Sequence, residues 1–387
     1  MPIVKAMAAR LTLGGALALG SGCSSLQPLP PAEPAACARD VRSVSALWSC
    51  LAKSPIPDSE ESGFKSTLRV VNGDLARKTQ DQQPARACDG TVPVDFEKIQ
   101  GIQTEAGRPP LHAFFRAPAD GKPVVILVHG LYDSKFSRYI QVTAEGLARS
   151  GFGVLAPDMR WHGCLLSRDW PSTLGVEEGR DLLAWAHWLH KVKSPGHPVG
   201  LLGFSMGGLD VLHAAALESA DRDLDAGVIA VCPPVALERL AANLDARSYF
   251  ADHGWTKLIH SKFKAYLEAR LTALSIPVKP SFLALLDWSA RESHAPGPDP
   301  AAAFLESANP AASIRATRTP LLILAASNDP IIPDSSIFAS KQVAQGQERV
   351  RVIETKYGGH LGQLGLYPHW FSEIAGTFFD AVPRISR

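Results

Sequence analysis

The segment that most constrains the fold is residues 200–212, GLLGFSMGGLDVL, where one serine stands between two glycines. The apolar run before Ser205 is typical of a strand buried on both faces, and the run after it is typical of a helix. A chain that passes from strand to helix within about two residues holds the corner residue in a strained conformation. Side chains two positions away would collide there, so glycine is needed at 203 and 207. The pattern therefore predicts an exposed Ser205 hydroxyl at the N-terminus of a helix.

Strand-like and helix-like patterns alternate along most of the chain. An antiparallel pair of strands is expected within residues 94–118, and helical patterns separate the strands that follow it. Apolar, largely β-branched runs predict those later strands at 123–130, 151–158, 198–204, 226–234, 319–329 and 348–360. This alternation predicts an α/β fold, namely a doubly wound, mostly parallel sheet of the eight-stranded type, in a domain over residues 91–387.

The alternation stops between Pro234 and Arg318, where helical sequence replaces the expected strand. We interpret residues 235–315 as a helical cap insertion, because insertions at the carboxyl ends of such strands lie where ligands bind. The alternative is that these helices only add packing. Four aromatic residues are candidates either for an apolar acyl pocket or for the core of the insertion: Phe250, Trp255, Phe263 and Phe282.

A serine hydroxyl attacks at neutral pH only with a general base beside it, and the base needs an orienting acid. In a fold of this kind the acid follows a late strand and the histidine follows the last one. His360 lies directly after the final predicted strand, and Asp329 ends the strand before it. Asp334 is a rival acid farther into the same loop. We predict a Ser205–Asp329–His360 catalytic triad.

A tetrahedral intermediate also needs two backbone N–H donors for its oxyanion. Met206 directly follows the predicted nucleophile, so its amide is one candidate. The second donor is expected in the loop after the strand at 123–130, where Leu131 is the first choice and Tyr132 the second. Gly130 allows this backbone to approach a substrate closely.

Five motifs resemble the α/β-hydrolase superfamily, and more narrowly bacterial predicted hydrolases and short-chain carboxylesterases: VVILVHGL, GFGVLAPDMRWHG, GFSMGG, SNDPIIP and GGHLG. The resemblance covers the chain from about residue 92 onward. It implies a serine esterase that acts on small-molecule carboxylic esters with short to medium acyl chains and uses no cofactor. The bulky Trp161 departs from the Arg-Gly sequence usual in relatives, which concerns the local loop and not the triad.

Three alternative functions use the same residues differently. An acyltransferase or thioesterase would share the triad. A peptidase, or a hydrolase of carbon–carbon or carbon–halogen bonds, would share the fold, although dehalogenases carry Asp where this chain has Ser205. A catalytically inactive, membrane-tethered binding lipoprotein would keep the triad without using it.

The N-terminus has the pattern of a secretion signal over residues 1–22. Lys5 and Arg10 precede a short apolar run, and small residues follow it. The segment resembles a bacterial lipoprotein signal, which implies a lipid on Cys23 and a membrane anchor in the cell envelope, with Ser24 suited to an outer membrane facing the periplasm. An ordinary signal peptide is the alternative. Residues 23–90 are then expected to form a Pro-rich extended tether and a small N-terminal extension.

The cysteine pattern and the net charge indicate which disulfides, metal sites and nucleic-acid partners can be expected. Apart from Cys23 there are five cysteines, of which Cys37 and Cys50 are the first candidates for a disulfide, and the odd number leaves at least one free thiol. No CxxC pair or Cys/His cluster indicates a zinc site or other metal site. The net charge is +1 without a basic block, so a nucleic-acid partner is not expected.

Overall fold

The computed structural model describes the parts of the chain that build the predicted sheet and most of the insertion. The described residues are 26–57, 59–71, 81–218, 223–245, 256–292 and 298–385. The expected signal segment, Cys23, Phe250 and Trp255 lie outside them. No helix within the described residues is long and apolar enough to cross a membrane.

An eight-stranded sheet forms the centre of the fold and confirms the predicted fold class. Its strands are β1 (Glu97–Ile102), β2 (Leu111–Arg116), β3 (Val124–Val128), β4 (Gly153–Pro157), β5 (Val199–Phe204), β6 (Val228–Val231), β7 (Leu321–Ala326) and β8 (Val350–Thr355). They lie in the order β1-β2-β4-β3-β5-β6-β7-β8. The pairs β1–β2 and β2–β4 are antiparallel, and all pairs from β4 to β8 are parallel. Every residue of β3 to β7 is buried, which is why these strands are continuous apolar runs.

Helices cover both faces of the sheet and create one apolar layer on each side. The described helices are α1 (Val44–Leu51), α2 (Gly63–Val71), α3 (Pro84–Ala87), α4 (Arg138–Arg149), α5 (Val176–Trp188), α6 (Met206–Leu217), α7 (Leu237–Asp245), α8 (Thr256–Ala273), α9 (Phe282–Glu292), α10 (Pro300–Ser307), α11 (Pro310–Ala316), α12 (Asp334–Ala344), α13 (Gln363–Leu366) and α14 (Pro368–Ile385). The parallel strands all end at one edge of the sheet, so the loops after β3, β5, β7 and β8 meet there.

The helices between β6 and β7 divide into two groups. Helices α7 and α9 pack on each other, and α10 packs on α9, away from the sheet. Helix α11 packs on α6 and α12 instead, so it belongs to the layer that flanks the sheet. The part of the insertion that can cover a site is therefore α7 to α9.

From Leu26 onward the Pro-rich segment, which was expected to be a tether, packs against the domain. Leu26, Leu29 and Ala32 are buried, and the Ala32 amide donates to the Gly146 carbonyl at 3.3 Å. These apolar residues recur every third position, the repeat of a polyproline II helix, so one face of the segment can bury against the domain.

Two disulfides join the N-terminal extension to itself and to the domain. The predicted Cys37–Cys50 bridge is confirmed. A second bridge, Cys88–Cys164, was not predicted and links the extension to the loop after β4. Cys232 is a free, buried thiol, in agreement with the odd cysteine number.

Removing either disulfide is expected to lower the free energy of unfolding, and the Cys88–Cys164 bridge is expected to matter more. In the chain-entropy account, a bridge stabilises by restricting the unfolded chain, and more so when it closes a longer loop. The separations of 13 and 76 residues give about 3 and about 4.5 kcal/mol on this account. Urea unfolding of the two paired cysteine-to-serine variants measures both losses. A larger loss for the 37–50 pair would contradict the expectation.

Candidate active site

Ser205 occupies the sharp corner between β5 and α6 that its sequence context predicts. Its backbone has φ 55° and ψ −116°, a region that L-residues rarely adopt. A Cβ atom at Gly203 would overlap the Gly207 backbone, and one at Gly207 would overlap the Val128 carbonyl. Glycine is therefore required at both positions, because any side chain there would overlap backbone atoms. The Ser205 side chain stands at the open N-terminus of α6.

The structure brings the three predicted triad residues into one hydrogen-bonded chain. Ser205 Oγ lies 2.9 Å from His360 Nε2, and His360 Nδ1 lies 2.8 Å from Asp329 Oδ2. The second carboxylate oxygen of Asp329 accepts from the amides of Ile331 and Ile332 at 2.8 and 2.9 Å. A carboxylate only accepts hydrogen bonds, so the imidazole carries its proton on Nδ1 and presents Nε2 as the acceptor for the serine hydroxyl.

Asp334, the rival acid, has a different place in the fold. It is exposed and forms the first residue of α12. A carboxylate in the first turn of a helix is stabilised by the free amides and the helix dipole. The position of Asp334 is thus explained by the stabilisation of a carboxylate at a helix N-terminus. Of the two acids, only Asp329 contacts His360.

The residues of the two predicted oxyanion donors lie beside Ser205. Leu131 and Met206 both line the cavity beside the serine. Within the described part of the chain, neither amide donates to another residue, whereas the Tyr132 amide donates to His162 Nε2 at 3.2 Å. The Tyr132 amide, the second choice, is therefore occupied, whereas the Leu131 amide has no acceptor among the described residues.

A network of buried side chains, not predicted from the sequence, fixes the loop after β3. The Gly130 amide donates to the Tyr139 hydroxyl at 2.8 Å, and that hydroxyl donates to Asp133 at 3.1 Å. His129 Nδ1 donates to the Gly130 carbonyl at 2.9 Å, and His129 Nε2 accepts from the Met159 amide at 3.2 Å. Burial lowers the pKa of His129, so the ring is neutral and can accept in this way. These bonds hold the Leu131 amide in position.

An apolar cavity of about 90 Å³ adjoins Ser205. Helices α7 to α9 form one wall, and the loops around the serine form the other. Its lining residues are Leu131, Trp161, Ser172, Leu174, Ser205, Met206, Leu209, Pro234, Leu237, Leu240, Leu244, Phe263, Phe282, Leu285, Leu286, Ser289, Ile331 and Ile332. Two of the four candidate aromatics, Phe263 and Phe282, thus line the cavity and also belong to the apolar cluster of the insertion.

Trp161, the residue that departs from the usual motif, forms part of this cavity wall. It adopts a positive φ of 64° and is buried. The guanidinium of Arg270 lies between two rings, 4.7 Å from the Trp161 centroid and 4.9 Å from the Tyr132 centroid. Burial lowers the pKa of Arg270 to about 10. This side chain connects α8 to both loops that flank the serine.

Two clusters in the described residues have the side chains that a metal would need, and neither fits one. Cys88 and Cys164 lie near His112 but are joined in a disulfide. Cys232 lies near Asp329 and His360, but both ring nitrogens of His360 are already hydrogen-bonded. Burial also raises the pKa of the Cys232 thiol, which disfavours the thiolate that binds metals.

The chain is similar to known proteins in sequence and in fold. Residues 125–374 match the model of the Alpha/beta hydrolase family. No curated protein sequence matches the chain. One crystal form of the esterase Pf2001 from Pyrococcus furiosus is 17% identical with a TM-score of 0.52, and the match covers 75% of this chain and 93% of that chain. A second crystal form of the same esterase is 19% identical with a TM-score of 0.50, and the match covers 75% of this chain and 95% of that chain. Est1E from Butyrivibrio proteoclasticus has 17% identity and a TM-score of 0.46, with 76% of this chain and 100% of that chain covered.

Asp329→Asn is expected to slow the reaction of Ser205 with a fluorophosphonate by about 10³- to 10⁴-fold, because an amide favours the wrong imidazole tautomer. Asp334→Asn removes the neighbouring exposed carboxylate and is the matched control, with an expected rate within about two-fold of wild type, as for surface changes away from a site. Labelling kinetics on both variants measure this. Equal losses in the two variants, or a loss only in Asp334→Asn, would reject Asp329 as the orienting acid.

Proposed function

The chain belongs to the Alpha/beta hydrolase family, and from this premise we propose that it is a serine hydrolase that cleaves carboxylic esters through an acyl-enzyme on Ser205. The observation that carries the proposal is the unbroken hydrogen-bonded chain from Ser205 through His360 to Asp329. In this arrangement His360 Nε2 is placed to accept the Ser205 proton while Asp329 orients the opposite side of the ring.

In the acylation step, His360 Nε2 removes the proton from Ser205 Oγ as that oxygen attacks the ester carbonyl. The carbonyl oxygen becomes an oxyanion within reach of the Leu131 and Met206 amides. A donor of this kind contributes about 3–4 kcal/mol to transition-state stabilisation. Asp329 holds the imidazolium, which then protonates the leaving alcohol.

Deacylation repeats the same chemistry with water as the nucleophile. His360 removes a proton from the water, which attacks the acyl carbon, and the Ser205 oxygen leaves with the proton returned from the imidazolium. The same two amides stabilise the second oxyanion. The products are the free acid and the regenerated serine.

The cavity supports an uncharged acyl group of short to medium length as the substrate moiety. No charged side chain stands among its lining residues in the described chain, and the hydroxyls of Ser172 and Ser289 are its polar groups beside Ser205. Burying apolar carbon there is favourable by about 0.8 kcal/mol for each methylene. We therefore place the acyl chain against the insertion helices and the alcohol toward solvent.

Ser205→Ala is expected to lower kcat on p-nitrophenyl acyl esters by about 10⁶-fold, the scale found when a serine nucleophile is removed. The melting temperature should change little, because the methyl group fits the same corner. The measurement combines ester assays over a chain-length series with thermal unfolding.

Retained turnover in this variant would contradict the assignment of the nucleophile. Wild-type protein that is folded but unlabelled by a fluorophosphonate would favour an inactive binding protein. Transfer of the acyl group to an added alcohol, in place of release of the free acid, would favour an acyltransferase.

The proposal includes a lipid anchor on Cys23 in a bacterial cell envelope. Its support is the signal pattern over residues 1–22. Ser24 and Ser25 alone separate Cys23 from Leu26, which is buried against the domain. An anchor on Cys23 would therefore hold the catalytic domain close to the bilayer.

Cys23→Ser is expected to move the protein from the membrane fraction to the soluble fraction of a Gram-negative host, because the acyl chains that anchor it can no longer be attached. Fractionation with immunoblotting measures this, and Cys232→Ser is the control that keeps the anchor. A Cys23→Ser protein that remains with the membranes would reject the lipid anchor.

A further inference from the structure

Helix α2 of the N-terminal extension lies directly against the loop that carries His360. The Thr67 hydroxyl accepts a hydrogen bond from the His360 amide at 2.8 Å and donates its own proton to the Gly63 carbonyl at 2.7 Å. The proton of the hydroxyl is therefore fixed on one side, and a lone pair faces the His360 N–H. Any side chain at Gly359 would overlap the Gly63 carbonyl, so helix and loop touch backbone to backbone.

The His360 loop needs such support because its own backbone is strained. Gly358, Gly359 and Leu361 all have positive φ values, of 135°, 56° and 59°. For Leu361 this conformation is unfavourable and persists only where surrounding contacts impose it. We propose that Thr67 is a positioning residue, which holds the His360 main chain so that Nε2 stays within reach of Ser205. The inference rests on the proposed role of His360 as general base.

A second contact connects the same extension to the loop of the orienting acid. Asn328, the residue before Asp329, accepts from the Gly359 amide at 2.8 Å and donates to the Glu61 carbonyl at 2.9 Å. One side chain thus ties the acid loop, the histidine loop and the extension together. Glu61 is itself held by ion pairs with Lys65 and Arg69 of α2.

A third set of contacts reaches the oxyanion loop. Asp81 accepts from the Ser134 hydroxyl at 3.0 Å, and Gln82 donates to the Tyr132 carbonyl at 3.3 Å. Both side chains are buried. The Cys88–Cys164 disulfide then fixes this part of the extension to the domain. The extension therefore contacts every loop that the proposed mechanism uses except the nucleophile corner, although it precedes the residues that match the family.

The chain offers a matched control for Thr67. Thr377 on α14 is also buried, and its hydroxyl accepts the Ala35 amide at 2.8 Å, so it too joins the N-terminal segment to the domain. This contact has the same chemistry and distance as the Thr67 contact but lies on no catalytic loop. If only the Thr67 variant loses kcat, the loss reports on positioning of the His360 loop. If the Thr67 and Thr377 variants lose kcat equally, the loss reports on stability alone.

The test compares Thr67→Val, Thr67→Ser and Thr377→Val in the full-length protein. Valine keeps the shape but removes the acceptor, whereas serine restores it. We expect Thr67→Val to lower kcat on p-nitrophenyl butyrate by about 10- to 100-fold, the scale caused by misplacement of reacting groups by about 1 Å, with KM unchanged. Thr67→Ser and Thr377→Val should both retain wild-type kcat, and both valine variants should lose a similar amount of melting temperature.

Hydrogen exchange of the peptide around residues 356–364 provides a readout that needs no turnover. Thr67→Val should speed exchange in this peptide, and Thr377→Val should not. If wild type cleaves no ester, the proposed function fails, and the exchange comparison alone decides about Thr67. Unchanged exchange in Thr67→Val overturns the inference, as does equal loss of kcat in the two valine variants. If Thr67→Val does not fold, Thr67→Ala, which also removes the acceptor of the His360 amide, replaces it with the same expected acceleration of exchange, and unchanged exchange there overturns the inference.

Discussion

The strained corner at Ser205 is the constraint on which the rest of the site depends. A serine with φ 55° persists only if its neighbours prevent relaxation, and here they do so by contact. The corner ends a central strand that is hydrogen-bonded on both sides, to β3 and β6, and the Ser205 amide itself donates to the Val231 carbonyl at 2.8 Å. The packing that stabilises the buried parallel strands therefore also holds Ser205 in its strained conformation. At this corner, Gly203 and Gly207 stand where the packing leaves no space for a Cβ atom.

Structural features that depend on residues close together in the sequence could be predicted. Continuous apolar runs gave the strands of the sheet, because strands buried on both faces need no polar alternation. The glycines around Ser205 indicated the corner, and the order of strands led to Asp329 and His360. The Cys37–Cys50 bridge closes a short loop and was predicted for that reason. In each case the physical cause acts over a few residues, so the pattern survives in the sequence.

Contacts between distant segments could not be predicted in the same way. Thr67 and His360 are 293 positions apart, and nothing near Thr67 distinguishes it from other helical threonines. Cys88 and Cys164 were equally available to other partners. The Pro-rich segment at 27–36 was expected to be a tether, because proline content predicts an extended chain but does not say whether one face of it is buried. Asp334 and Asp329 share a loop, and only the start of α12 at Asp334 separates their roles. Tertiary packing selects among these options, and a single sequence does not record that selection.

Two segments outside the strand–helix alternation make different contacts around Ser205. Helices α7 to α9 supply apolar side chains to the cavity but make no hydrogen bond to Ser205, Asp329 or His360 within the described chain. The described residues before β1 contribute nothing to the lining of that cavity, yet the Glu61 carbonyl and the side chains of Thr67 and Gln82 hydrogen-bond to the loops that carry Asp329, His360 and Leu131. The cavity wall and the hydrogen bonds to the loops of Asp329 and His360 thus come from separate parts of the chain, and Arg270 of α8 lies beside the rings of Tyr132 and Trp161. The parallel sheet brings the loops after β3, β5, β7 and β8 to one edge, and the extension adds hydrogen bonds to three of these loops.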